Sequence, residues 1–83
     1  MTNDHDVFLD ATEHDAPVPV IQTKETLDTM QVGEVLKVVT SREGPALNIR
    51  MLVKNRPYEL MREARDGGNY VFYIKKLDEN AVG

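Results

Sequence analysis

The sequence contains no cysteine. That absence removes disulfides, thiolate metal sites and cysteine nucleophiles from its chemistry, and it leaves the redox compartment unreadable from cysteine usage. No apolar run approaches the roughly 20 residues of a membrane-spanning helix. The opening MTNDHDVFLD lacks the basic start and apolar stretch of a secretory signal, so the expected location is cytoplasmic. There is no internal repeat and no low-complexity tract. Basic residues are missing from residues 1–16, which hold Asp4, Asp6, Asp10, Glu13 and Asp15. The rest of the chain, with 10 basic residues, is close to neutral. A protein that grips nucleic acid nonspecifically needs a basic face to neutralise phosphates, and this profile does not supply one. Nucleic acid is therefore not the expected partner.

What is present is enough for one small domain. The chain has 83 residues, 41% hydrophobic and 29% charged, which is ordinary for a soluble globular protein near the lower size limit of independent folding. Val7-Phe8-Leu9-Asp10 reads as a first strand, and Thr12-Glu13-His14-Asp15 as a loop. Pro17 suits a first helical turn, with Asp15 placed to cap exposed amides. Val20, Ile21, Leu27 and Met30 then fall on one helical face, predicting a helix from Pro17 to Met30 with Lys24, Glu25 and Asp28 toward water. Gly33 breaks the pattern. Val35, Leu36, Val38 and Val39 predict a buried strand. Ser41 to Gly44 reads as a loop, and Pro45 opens a second helix whose apolar residues are Ala46, Leu47, Ile49, Met51, Leu52 and Val53. The Asn55-Arg56-Pro57 stretch ends it.

Tyr58 to Arg65 and Tyr70 to Lys76 predict two strands joined by a tight turn at Asp66-Gly67-Gly68-Asn69. In the last strand Tyr70, Phe72 and Ile74 share one face. The order β-α-β-α-β-β implies a two-layer α/β sandwich, with both helices on one face of a four-stranded mixed sheet. The expected organisation is a flexible acidic lead over residues 1–6, a domain over 7–77 and a flexible end over 78–83.

Several clusters compete as functional sites. His5, Asp10, Glu13, His14 and Asp15 are residue types that ligate divalent metals, but they show no recognised ligand spacing, so a solvated acidic loop is expected. His14 alone could act as an acid or base, yet no nucleophile accompanies it. The glycine pair lacks the strand-to-helix setting and lysine of a phosphate loop. Arg50, Lys54, Arg56, Arg62 and Arg65, with Tyr58 among them, could contact RNA, although Glu59, Glu63 and Asp66 blunt their field. Met30, Met51 and Met61 read as core gap-fillers. No metal or cofactor is expected.

An ordered set of short motifs runs through the whole chain. Leu9-Asp10-Ala11 ends the first strand, and Ala16-Pro17-Val18-Pro19 opens the first helix. Met30, Gly33, Glu34 and Leu36 follow in a Met-x-x-Gly-Glu-x-Leu pattern. Pro45 with Asn48-Ile49 stands at the second helix. Pro57-Tyr58-Glu59-Leu60 starts the third strand, and Ile74 and Lys76 end the last. In order and spacing these residues resemble the TusA-like (SirA-like) sulfur-carrier family from about Phe8 to Lys76. In that family a Cys-Pro-x-Pro motif opens helix one, and its cysteine carries sulfane sulfur.

The resemblance implies the same β-α-β-α-β-β fold and protein partners of the sulfur relay: cysteine desulfurases, rhodanese-type transferases and DsrE-like acceptors. The departure is at the carrier position, where this chain has Ala16. A methyl group cannot hold sulfur, so no sulfurtransferase activity is expected from this chain. The preceding loop departs as well, and Glu13 and Asp15 would oppose an anionic persulfide. The favoured reading is a protein-interaction or regulatory scaffold, with Asp15, Ala16, Pro17, Val18 and Pro19 as its candidate partner contact. Two alternatives stay open: a genuine carrier seen with Cys replaced by Ala at position 16, and a small-ligand or RNA-binding module on the same scaffold.

Overall fold

A computed structural model describes residues 4–55 and 57–79. The elements are β1 (Val7–Asp10), α1 (Val18–Thr29), β2 (Val35–Thr40), α2 (Glu43–Leu52), β3 (Tyr58–Asp66) and β4 (Asn69–Lys76). The strands form one sheet in the order β1-β2-β4-β3. β1 runs parallel to β2, and β4 is antiparallel to both β2 and β3. Parallel neighbours need a crossover, which α1 supplies, whereas β3 and β4 need only a turn. Gly67 and Gly68 make that turn at φ of 58° and 92°, values that cost a side-chain-bearing residue dearly. The two-layer sandwich expected from the sequence is the observed fold.

Strand alternation places the core. Leu36 and Val38 on β2 and Phe72 and Ile74 on β4 are fully buried, facing Leu27 of α1 and Ala46 and Ile49 of α2. Val7, Leu9, Leu60 and Tyr70 extend this layer across the sheet. Arg50 of α2 fastens the helix layer to β3. Its guanidinium donates to both carboxylate oxygens of Glu63, the shortest bond being 2.7 Å, and to Glu43 at 3.1 Å. Tyr70 donates its hydroxyl to the same Glu43 at 3.0 Å.

The structure departs from the sequence reading in several places. α2 begins at Glu43, so Glu43 and Gly44 lie in its first turn and Pro45 stands inside it; only Ser41 and the N-capping Arg42 remain as a connection. A proline is tolerated there because first-turn amides have no intrahelical partner. Ile21, Leu47 and Met51 are about half exposed, because the helices touch the sheet along a narrower stripe than their apolar content suggests. Thr23 takes a core place on α1, its hydroxyl donating to the Pro19 carbonyl at 2.7 Å. Of the three methionines expected in the core, only Met30 is buried; Met51 and Met61 are exposed. β2 is covered on one face and partly open on the other, with Val35 and Val39 only half-buried. Asp6, expected in a free lead, is tied to β2: its amide donates to Val35 O at 2.8 Å and its carboxylate accepts from Val35 N at 2.9 Å. Residues 1–3 and 80–83 of the expected flexible ends lie outside the described residues.

Candidate functional site at the shared start of two helices

The site lies where β1 and β2 both end and both helices begin. After β1, the Asp10 carboxylate accepts from the Thr12 amide at 3.0 Å and the Thr12 hydroxyl at 2.7 Å, a local turn of the kind aspartate favours. The turn hydrogen bonds hold the Asp10 carboxyl below its usual range, the Thr12 hydroxyl first and its amide second. Ser41, just after β2, donates its hydroxyl to the Thr12 carbonyl at 2.7 Å. Both post-strand loops are thus joined.

Next comes the turn that opens α1. Asp15 accepts the Val18 amide on its backbone carbonyl at 3.1 Å and the Ala16 amide on its side chain at 2.8 Å. Its carboxylate also lies 3.8 Å from the Arg42 guanidinium, both groups being well exposed. The Asp15 side chain therefore serves Ala16, and only its backbone carbonyl meets the first helical residue. The capping position belongs to Pro17, with no side-chain cap, and the Ala16–Pro17 peptide bond is cis.

Ala16 is exposed, and its methyl faces the first turn of α2: a Cβ built on Gly44 would lie 3.8 Å from the Ala16 Cβ. Two helices of 12 and 10 residues start within contact distance of each other here. Their positive dipole ends converge on position 16. Such a place favours an anion, and Asp15 supplies one from within the chain. The methyl of Ala16 supplies no nucleophile, acid, base or ligand.

Of the five candidate contact residues, Asp15, Ala16, Pro17 and Val18 are exposed, whereas Pro19 is buried against the core and cannot be touched from outside. The other candidates disperse. His5 pairs with Asp4 at 2.8 Å, while Asp10 is committed to Thr12. Glu13 and His14 are exposed, and among the described residues no three His, Asp or Glu side chains gather as a metal set would require. The glycine pair is the β3–β4 turn. The basic stretch does not form one face: Arg50 is held by Glu63 and Glu43, Arg65 lies 3.9 Å over the Tyr70 ring, and Arg62 lies 4.5 Å over the Tyr73 ring. Tyr58 is buried at the far end of the helices, and burial first, then Asp28, pushes its phenol pKa up. Arg56 lies outside the described residues.

Sequence reasoning missed Arg42, Gly44 and Ser41 as parts of the site. Their stretch carries no motif of its own, and only the chain path from β2 brings it beside Ala16. It also missed Thr40, the last residue of β2. Thr40 is fully buried, and its hydroxyl has no hydrogen-bond partner among the described residues.

Comparison with known proteins gives the family. The family model for sulfurtransferase TusA matches residues 7–76. The sulfur carrier protein TusA of Allochromatium vinosum is 36% identical over 73 residues, covering 88% of this chain and 96% of that protein. The sulfur carrier protein TusA of Pseudomonas entomophila is 29% identical over 87% of this chain and 90% of its own length. The crystal structure of a SirA-like protein from Desulfitobacterium hafniense superposes with a TM-score of 0.75 at 21% identity, covering 88% of this chain and all of that one, which supports the fold. With the family model matching residues 7–76 and a TusA relative 36% identical over 88% of the chain, the chain belongs to the TusA (SirA-like) sulfur-carrier family, and it is a member without cysteine.

Proposed function

We propose that this protein is a non-carrying member of the sulfur relay, acting by docking onto relay proteins through the exposed tip formed by Asp15, Ala16, Pro17 and Val18. The observation that carries the reading is the state of position 16. Position 16 is exposed beside the starts of both helices, with Ala16 next to Gly44 in the first turn of α2, and it holds a methyl group. The tip retains a shape and a positive helix-end field that a relay partner recognises, with no atom that can take sulfur. The partners suited to it are a cysteine desulfurase, a rhodanese-type transferase or a DsrE-like acceptor, and the setting is the cytoplasm. No described helix is long and apolar enough to cross a membrane. Regulation then follows from competition: a docked protein that cannot accept sulfur blocks one that can.

The test is a sulfur-transfer assay with the cysteine desulfurase and the cysteine-bearing carrier of the same cell. Added protein should lower transfer to the carrier in a saturable way, and Val18→Asp should relieve the inhibition. No binding to any relay protein would sink the reading. A cysteine codon at position 16 of the native gene would replace it with that of a genuine carrier.

A further inference from the structure

The helix-free face of the sheet carries a row of side chains that crosses all four strands. Phe8 of β1 stands opposite Lys37 of β2, Lys37 opposite Tyr73 of β4, and Tyr73 opposite Arg62 of β3. Lys37 Nζ lies 5.9 Å from the Phe8 ring centre and 5.7 Å from that of Tyr73, and the Arg62 guanidinium lies 4.5 Å from the Tyr73 ring. Aromatic and cation therefore alternate. A cation seated on a ring is held in place while its N–H donors stay available to an incoming acceptor.

One end of the row already meets a carboxylate. Asp4 places an oxygen 4.0 Å from Arg62 Nη2, and Asp4, Val35, Met61, Arg62 and Tyr73 line a recess of about 160 Å³. The Asp4 carboxyl is held below its usual range, by His5 first and by Tyr73 as well. Asp6, two residues on, is bonded to Val35 beside the recess. An acidic stretch of chain thus runs to the row and offers it a side-chain carboxylate. Lys37, in the middle, has no carboxylate within ion-pair distance among the described residues.

We propose that this row is a docking surface for an acidic, extended segment of a partner protein, and that Asp4 is its tethered competitor. Charge complementarity and the Asp4 carboxylate already at the row both point to that occupant. Lys37 and Arg62 are two strands apart, a separation of about 9.6 Å. Carboxylates three residues apart on a chain in the extended polyproline II form lie on one side of it, about 9.3 Å apart, and match it. Single-stranded nucleic acid is served less well. Lys37 and Arg62 already lie over the Tyr73 ring, which is only 6% exposed, so it offers no open platform for a base.

The experiment is an NMR titration of the full 83-residue chain. The probes are acetyl-Gly-Glu-Ala-Ala-Glu-Gly-amide, its counterpart with Gln for Glu, and an octauridylate. The Glu peptide should move the amides of Phe8, Lys37, Arg62 and Tyr73 and leave those of Ala16 and Gly44 in place. Asp4→Asn should bind it about threefold more tightly, and Arg62→Gln about threefold or more weakly, in line with exposed charge pairs. Added salt should weaken binding. Both altered residues are exposed, so the fold survives either change. Equal binding of the Gln peptide, no effect of Asp4→Asn, shifts centred on Ala16, or a response to octauridylate alone would each overturn the proposal. Docking of relay proteins at the helix tip is read separately, by the sulfur-transfer assay.

Discussion

Residue 16 shows how one side chain decides what chemistry a position can carry. Installing a thiol there tests the setting directly. Ala16→Cys should be readily modified by a thiol reagent, because the position is exposed and both helix dipoles favour the thiolate. Asp15 works against that. Its carboxylate accepts the Ala16 amide, and its charge opposes a second anion beside it. The pH midpoint of modification should therefore fall when Asp15→Asn is added to Ala16→Cys; an unchanged midpoint would remove Asp15 from the account. Thr40 offers a second test. Its buried hydroxyl is unpartnered among the described residues, so Thr40→Val deletes a desolvated polar group at nearly constant shape. It should raise stability by about 1 kcal/mol in urea unfolding. No sequence signal marks either effect. The identity of residue 16 is legible in one line of text, but the orphan hydroxyl and the Asp15–Ala16 bond depend on side-chain directions that only the packed chain determines.

At the scale of elements, the sequence was most legible where periodicity and turn chemistry agree. β1, β4 and the glycine turn fall where alternation and positive φ demand. α2 starts two residues before the proline that marks it in the sequence, because Glu43 and Gly44 are loop-like residue types and Arg42, the cap, carries no capping side chain. Gly44 is costly there, since nothing requires its freedom and a Cβ would find ordinary contact with Ala16. Gly44→Ala should therefore stabilise the domain by about 0.4–1 kcal/mol, measured by the same unfolding curves.

The ties that Glu43 makes to Arg50 within α2 and to Tyr70 of β4 should respond to acid. Arg50 first, then Tyr70, holds the Glu43 carboxyl below the usual glutamate value of 4.5. A carboxylate whose pKa is lowered by folding contributes stability above its unfolded value, and loses that contribution as pH falls through the folded one. The contribution should accordingly be intact above pH 4.5 and fade below it. Comparing urea midpoints of the wild type and Glu43→Gln across that range checks the sign: the two should converge in acid. The Arg50–Glu63–Glu43 network joins charges 7 to 20 residues apart in the chain, and for that reason the sequence could show only a mixed-charge stretch.

For the whole molecule, size sets the tolerance. A domain of 83 residues has stability of the order of 5–15 kcal/mol at best, so single core deletions matter. Leu36 is fully buried between the helices and β4, and Leu36→Ala should cost about 2–5 kcal/mol, read as a large fall in the thermal midpoint. The sheet order adds a kinetic consequence. β3 and β4 are sequence neighbours with a two-residue turn, whereas β1 has four residues and a single parallel partner reached through a whole helix. Closing that long loop is the costlier step, so the hairpin should form early and β1 late. The region most weakly secured is then β1 with the loop behind it, the same loop that presents Ala16. Hydrogen exchange should find the amides of Leu9 and Ala11 opening more readily than those of Phe72 and Ile74. A surface that loosens before the rest of the molecule can adapt to whatever it meets while the hairpin keeps the chain folded.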